Sequence, residues 1–184
     1  ESIMPNVSRF AKRGQHFTRH YSSGNGTREG LFGLFYGLYG SYWQSFLQAQ
    51  RSPLLMDRFQ QLGYQFDLRT SARFSYPEFD KTLFAKVPAS ELHEAGGALA
   101  PAERDSANAA ALIEFLRGRD RQRPFMSFFF MEATHARYDF PESAAIARPY
   151  LEEVDYANMS RRDLAPKIGM LLNRYTNASH WIDR

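Results

Sequence analysis

A near-continuous apolar segment, Phe125–Met131, constrains the fold more than any other feature of the sequence. Its length suits a single strand, and unbroken apolar strands are typical of parallel sheets that are covered on both faces. A well-delimited helix, Ser52–Gly63, runs into a second predicted strand at Tyr64–Leu68, and a further helix is predicted at Asp105–Leu116. Helices that alternate with buried strands are typical of α/β proteins. The sequence therefore predicts an α/β fold with a mostly parallel central sheet flanked by helices.

The remaining elements are predicted from capping and turn residues and from the periodicity of apolar residues. Ser52 is the expected N-cap of the predicted helix Ser52–Gly63. A short helix is predicted at Met4–Ala11, a short alternating strand at Gln15–Tyr21, and a surface loop at Pro88–Ala102. A long final helix is predicted at Leu164–Arg184. Its expected buried stripe consists of Ile168, Leu171, Leu172, Tyr175 and Ala178.

Composition sets broad limits on function. The chain has 184 residues, a net charge of +3 and no cysteine. A mildly basic protein suits an anionic partner such as a phosphate ester, a lipid headgroup or a nucleic acid, and the charge alone selects none of them. The absence of cysteine excludes disulfides, zinc–thiolate sites and thiol catalysis within these residues.

The loop Tyr21–Arg28 is the strongest candidate for a functional site. Gly24, Asn25 and Gly26 lead into a predicted helix, with Thr27 at its mouth. A glycine-rich approach to a helix N-terminus lets the backbone N–H groups and the helix dipole meet an anion. The alternative is that Thr27 only caps the helix, as threonine often does.

Two nucleotide-binding interpretations of this loop fail on the sequence. A phosphate-binding P-loop requires Gly-Lys-Ser/Thr, and the lysine is missing. The segment Gly24–Gly30 departs by one residue from the spacing of the dinucleotide fingerprint.

Two other segments contain residues that are able to carry chemistry. His135 follows the apolar strand, at the end of the sheet where α/β proteins gather their sites. Taken alone, a single loop histidine is more often structural. Glu152–Asp155 is acidic and could bind a cation, although an exposed acidic turn is the more common structure of such a run.

The opening of the chain resembles a known family. Met4-Pro5-Asn6, then Phe17–Thr27, then Gly30–Leu38 resemble the start of the sulfatase-like branch of the alkaline phosphatase superfamily. The similarity is strongest to inner-membrane members from Gram-negative bacteria. It returns at Thr134-His135 and at Asn173–Ala178.

This resemblance implies roles for particular residues. Thr27 matches the nucleophile at the start of a helix, and Glu1 matches the acidic residue that binds a divalent metal together with it. Mg²⁺ or Mn²⁺ is the implied cofactor. His135 matches a residue that contacts substrate, and Arg28 and Asn25 are expected to bind substrate beside Thr27. The Cys/Ser-x-Pro-x-Arg motif of formylglycine sulfatases is absent, which argues against sulfate-ester hydrolysis by that route.

The resemblance also implies a setting. Residues 1–184 are interpreted as a partial sulfatase-like periplasmic domain that lacks the first strand, the C-terminal part and the family's Asp-His metal pair. Membrane attachment through segments outside this chain is expected, at the periplasmic face of the bacterial inner membrane. The expected partner is a phosphoester or a lipid or lipopolysaccharide headgroup, and not a nucleic acid.

Two functions are compatible with this resemblance. The first is a metal-dependent phosphatase or phosphoryl transferase that acts through Thr27. The second is a non-catalytic regulator that senses lipopolysaccharide and controls outer-membrane lipid homeostasis.

Overall fold

The computed structural model describes residues 2–96, 98–155 and 160–184. They form two compact units. The sheet unit comprises Thr18–Ala95 and Asn108–Phe130, and the helical unit comprises Glu1–Phe17, Gly96–Ala107 and Met131–Arg184. In chain order the helices and strands are α1 (Pro5–Ala11), α2 (Thr27–Tyr36), α3 (Trp43–Gln48), α4 (Leu54–Gln61), β1 (Gln65–Thr70), β2 (Leu92–Glu94), α5 (Pro101–Gly118), β3 (Phe125–Phe130), α6 (Arg161–Leu164) and α7 (Ile168–Ile182).

The sheet unit is built on three parallel strands in the order β2-β1-β3. In the central strand β1, Leu68 lies opposite Leu92 of β2 and Phe128 of β3. Parallel neighbours cannot be joined by a tight turn, and the chain between the paired strands β1 and β3 includes the helix α5. The predicted α/β fold with a parallel sheet and flanking helices is confirmed.

Aromatic rings fill the core of the sheet unit. Phe84 makes edge-to-face contacts with Phe35, Phe79 and Phe128, at centroid separations of 5.8, 6.4 and 5.3 Å. Rings at these separations and angles add attraction beyond the burial of their apolar surface. The packing fixes α2 and the segment after β1 against the sheet, and so fixes the helix that begins at Thr27.

Three predictions made from the sequence are wrong or incomplete. Gln15–Tyr21 forms turns and irregular backbone instead of a strand, and Phe17 and Tyr21 are exposed. The alternating sequence of this segment therefore did not make it pair as a β-strand. The predicted loop Pro88–Ala102 contains the edge strand β2, because three residues suffice to pair with β1. Pro53, and not Ser52, is the N-cap of α4, since its extended backbone precedes the first helical residue.

The helical unit contains the first and last helices. α1 begins with proline in its first turn, as predicted. The predicted final helix is divided: a 3₁₀ turn at Ala165–Lys167 separates α6 from α7, and Pro166 lies in that turn. Pro166 has no N–H to donate, so it is placed at the start of a helical segment and not within one.

Candidate functional site

The loop before α2 folds back on the helix that it introduces. The Ser23 hydroxyl donates to the carbonyl oxygen of Glu29, and the Ser22 hydroxyl donates to the carbonyl oxygen of Gly24 at 2.7 Å. A Cβ atom at Gly33 would lie 2.1 Å from Ser23 Oγ, and one at Gly24 would lie 2.4 Å from Glu29 Cβ. Glycine at both positions is therefore what allows the loop to approach the helix this closely.

Thr27 is the first residue of α2, and its side chain is exposed. Gly26 is the N-cap, with extended backbone angles of φ −114° and ψ 159°. The alternative in which Thr27 itself caps the helix is wrong, because a cap precedes the first helical residue. The loop thus presents a hydroxyl beside the N–H groups of the first turn, and Asn25 is exposed next to it.

Arg28 is held by a carboxylate. Its Nε and Nη2 atoms donate to the two carboxylate oxygens of Glu78, both at 2.8 Å. The guanidinium also lies over the ring of Tyr76, 4.9 Å from the ring centroid. The hydrogen bonds to Glu78 raise the pKa of Arg28, so the guanidinium stays charged across the physiological range.

His135 is exposed in the loop that follows β3. Its backbone N–H donates to the carbonyl of Glu132, and its own carbonyl accepts from Tyr138, both at 2.8 Å. Arg137 and Tyr138 have positive φ angles of 94° and 47°, which non-glycine residues adopt only where the surroundings impose it.

One source of that restraint is α5. Asp105 is 5% exposed and accepts from the backbone N–H groups of Glu132 at 3.0 Å and Ala133 at 2.8 Å. The neighbouring Arg104 makes an ion pair with the Glu132 carboxylate. A buried carboxylate with two backbone donors fixes the start of the His135 loop.

The other source is a polar face of α7 that the sequence-based reasoning missed. Arg174 donates to the carbonyl oxygens of Arg137, Leu151 and Glu152, at 2.6, 2.7 and 2.8 Å. Asn177 is fully buried, and its side-chain oxygen accepts from the backbone N–H of Ala147 at 2.8 Å. The signal was present in the Asn173–Ala178 segment, where polar residues lie one turn apart within an otherwise apolar helix.

The loop that contains His135 borders a cavity of about 960 Å³ in the helical unit. Its lining includes His135, Arg104, Arg174, Glu132 and the Glu152–Asp155 segment. The acidic side chains of this segment are exposed and Val154 is buried, as in an acidic turn anchored by one apolar residue.

The predicted site residues fall in different parts of the structure. Asn25, Thr27 and Arg28 belong to the sheet unit, and His135 belongs to the helical unit. Glu1 lies outside the described residues. Within the described ranges, no three His, Asp or Glu side chains form a group that could hold a metal ion. A hydroxyl and a carboxylate are oxygen donors of the kind that Mg²⁺ and Mn²⁺ prefer, but the described residues supply only Thr27 of that pair.

Comparison with known proteins gives the same class as the fold. The sequence matches the Sulfatase family model over residues 1–184, and the chain belongs to that family. It is 38% identical over 93 residues to the inner membrane protein YejM of Salmonella typhimurium, and equally to the YejM of Salmonella typhi. These alignments cover 50% of this chain and 16% of each relative.

A third relative is an uncharacterised protein of Haemophilus influenzae, which is 36% identical over 84 residues. That alignment covers 46% of this chain and 14% of the relative. The chain thus matches only a small part of the length of these proteins. Among the helices in the described ranges, each is too short or too polar to cross a bilayer.

Proposed function

We propose that this chain is part of a metal-dependent phosphatase or phosphoryl transferase in which Thr27 is the nucleophile. The observation that supports it best is the position of Thr27, exposed as the first residue of α2 behind a glycine N-cap. A nucleophile at this position attacks a phosphoryl group whose oxygens meet the first-turn N–H groups. Membership of the sulfatase family supports the same choice of residue.

The proposed reaction is in-line displacement at phosphorus. Thr27 Oγ1 loses its proton and bonds to phosphorus while the ester P–O bond breaks, and the departing oxygen takes a proton. Water, or an acceptor alcohol in a transferase, then gives up a proton and bonds to phosphorus, the bond from phosphorus to Thr27 Oγ1 breaks, and Oγ1 takes a proton again. The positive end of the α2 dipole stabilises the negative charge on the phosphoryl oxygens. A divalent cation held by Thr27 and Glu1 would supply nucleophile activation and charge neutralisation. Asn25, Arg28 and His135 are the proposed substrate-binding residues.

The test is a phosphatase assay of the intact protein with p-nitrophenyl phosphate, with and without Mg²⁺ or Mn²⁺. Thr27→Ala is expected to lower kcat by at least about a hundredfold, because the reaction loses its nucleophile. Thr18→Ala is the matched control, since Thr18 is exposed in the same unit and is expected to leave kcat unchanged. Equal kcat in Thr27→Ala and the wild type would exclude Thr27 as the nucleophile.

A second candidate is a non-catalytic regulator that binds lipopolysaccharide. The observation that favours it is the bidentate Arg28–Glu78 pair. The guanidinium of Arg28, which directly follows Thr27 in the chain, is bonded to a carboxylate, and a phosphoryl group at Thr27 would compete with that carboxylate for it. The intact protein would then bind lipopolysaccharide micelles with equal affinity with or without Thr27 while hydrolysing no phosphoester. Saturable binding without metal-dependent turnover would support this candidate; turnover that requires Thr27 would exclude it.

We further propose that the domain lies at the periplasmic face of an inner membrane, attached through segments outside this chain. Its proposed partner is a phosphoester or a lipid headgroup. The name of the Salmonella relatives, inner membrane protein, supports the membrane part of this proposal.

A further inference from the structure

The Arg28–Glu78 pair brings a negative charge close to the proposed nucleophile. Arg28 directly follows Thr27 in the first turn of α2, and consecutive Cα atoms are about 3.8 Å apart. Both oxygens of the Glu78 carboxylate are bonded to the Arg28 guanidinium. The Glu78 carboxylate is therefore held against the side chain of the residue that directly follows Thr27.

The turn that carries Glu78 is built to keep it there. Glu78 has a positive φ of 55°, and its carbonyl oxygen accepts from the Thr82 hydroxyl at 2.6 Å and from the Lys81 N–H at 3.2 Å. Thr82 is fully buried. Tyr76 places its ring under the guanidinium from the same segment. These backbone contacts do not involve the carboxylate, so a change of side chain at position 78 leaves the turn its hydrogen bonds.

The pair changes what the N-terminus of α2 offers an anion. An unpaired arginine beside Thr27 would add a full positive charge and favour a dianionic phosphomonoester. With Glu78 bound, the two side chains sum to zero, so the pair adds no net charge to the attraction of the helix N-terminus, equivalent to about half a charge, and of the proposed divalent cation. Relative to an unpaired Arg28, that smaller attraction favours a monoanion such as a phosphodiester, because a dianion loses twice as much Coulomb attraction when the positive charge is neutralised.

We infer that Glu78 is a specificity-determining residue that shifts the preference of the site at Thr27 from doubly charged phosphomonoesters toward singly charged phosphodiesters. This inference rests on the proposed function. Glu78 acts by its charge and takes no part in bond making. Because the Arg28 and Glu78 side chains are 35% and 23% exposed, solvent and salt screen the effect. With the Arg28 side chain between the carboxylate and Thr27, and with that screening, removing the charge changes the preference by about three- to tenfold.

The experiment compares two chromogenic probes, p-nitrophenyl phosphate and bis(p-nitrophenyl) phosphate, hydrolysed by the intact protein at pH 8, where the first is a dianion and the second a monoanion. The quantity measured is the ratio of kcat/KM for the diester to kcat/KM for the monoester. Glu78→Gln is expected to lower this ratio about three- to tenfold, mainly through a lower KM for the monoester. Glu78→Asp keeps the charge and is expected to keep the ratio. Glu91→Gln removes one carboxylate elsewhere in the sheet unit and controls for net charge.

Each outcome decides between the proposals. A lowered ratio in Glu78→Gln alone supports the inference. An unchanged ratio, with both activities still abolished by Thr27→Ala, overturns the role of Glu78 and leaves the proposed function standing. An equal loss of both activities in Glu78→Gln overturns it too, since Glu78 would then only position Arg28. If the wild type hydrolyses neither probe faster than Thr27→Ala does, the proposed function fails, and the inference fails with it.

Discussion

At the scale of single residues, the candidate loop depends on the absence of a side chain as much as on the presence of one. Gly33 lies in the interior of α2, where glycine is normally unfavourable. Its place is explained by Ser23, whose hydroxyl reaches across to the Glu29 carbonyl through the space a Cβ would fill. Gly33 therefore helps to hold the loop before Thr27 in place because it has no side chain.

Gly33→Ala is expected to destabilise the protein by about 1–3 kcal/mol, because its Cβ would lie 2.1 Å from Ser23 Oγ and 2.6 Å from Ser23 Cβ. The loop must move to relieve the second contact, since Cβ is fixed to the backbone. The measurement is urea unfolding. Gly169→Ala in α7 is the matched control, because nothing lies within 4 Å of its added Cβ, and alanine should stabilise that helix by up to about 1 kcal/mol. Similar free energies of unfolding for Gly33→Ala and the wild type would contradict the close packing.

At the scale of elements, α7 shows what a hydrophobic pattern leaves undecided. Of the predicted stripe, Leu171 and Ala178 are buried, whereas Leu172 is 57% exposed. The true inner face also contains the polar residues Asn177 and Ser179. It is rotated from the predicted face because Arg174 and Asn177 bond to the backbone of the segment before them, and buried N–H and C=O groups must be paired.

Neighbouring leucines test that orientation. Leu171→Ala is expected to cost about 2–3 kcal/mol, because Leu171 packs with Leu151 and Val154. Leu172→Ala is expected to change the free energy of unfolding by less than about 0.5 kcal/mol, as for most exposed positions. Thermal or urea unfolding of the two variants side by side gives the comparison, and equal losses would mean that the helix packs on the face the periodicity predicted.

At the scale of the whole molecule, long-range contacts connect parts of the chain that are distant in sequence. The Asp183 carboxylate accepts from the backbone N–H groups of Asn6 and Val7, both at 2.7 Å. The residue before α1, Met4, makes no side-chain cap. Asp183 therefore accepts the free N–H groups at the start of α1, as a local N-cap side chain does in most helices, although it lies near the C-terminal end of the chain in the same unit.

Asp183→Ala is expected to free the start of α1, since its orphan N–H groups lose their acceptor. Hydrogen exchange at the Asn6 and Val7 amides should become faster by about fivefold or more, with a loss of about 1–2 kcal/mol in stability. Asp163→Ala serves as the control: it removes a carboxylate that bonds locally to Ser160 at the start of α6. Unchanged exchange at Asn6 and Val7 would show that α1 is held by other contacts.

The sequence by itself determined the elements that local rules govern. Phe125–Met131 identified β3, because a near-continuous apolar strand is typical of the inside of a parallel sheet, and the glycine-rich segment before Thr27 indicated the start of α2. The family likewise followed from the opening residues and is confirmed by the match over residues 1–184. The assignments of Glu1, Thr27, Arg28, Asn25 and His135 stay predictions.

Only the tertiary structure decided which side chains meet. The strand predicted at Gln15–Tyr21 did not form, whereas β2 formed within a predicted loop, because a strand requires a partner and not only a pattern. Glu78 lies fifty residues beyond Arg28, and no local signal pairs them. Such pairs depend on how the chain is folded back on itself, which is why the charge beside Thr27 became apparent only in three dimensions.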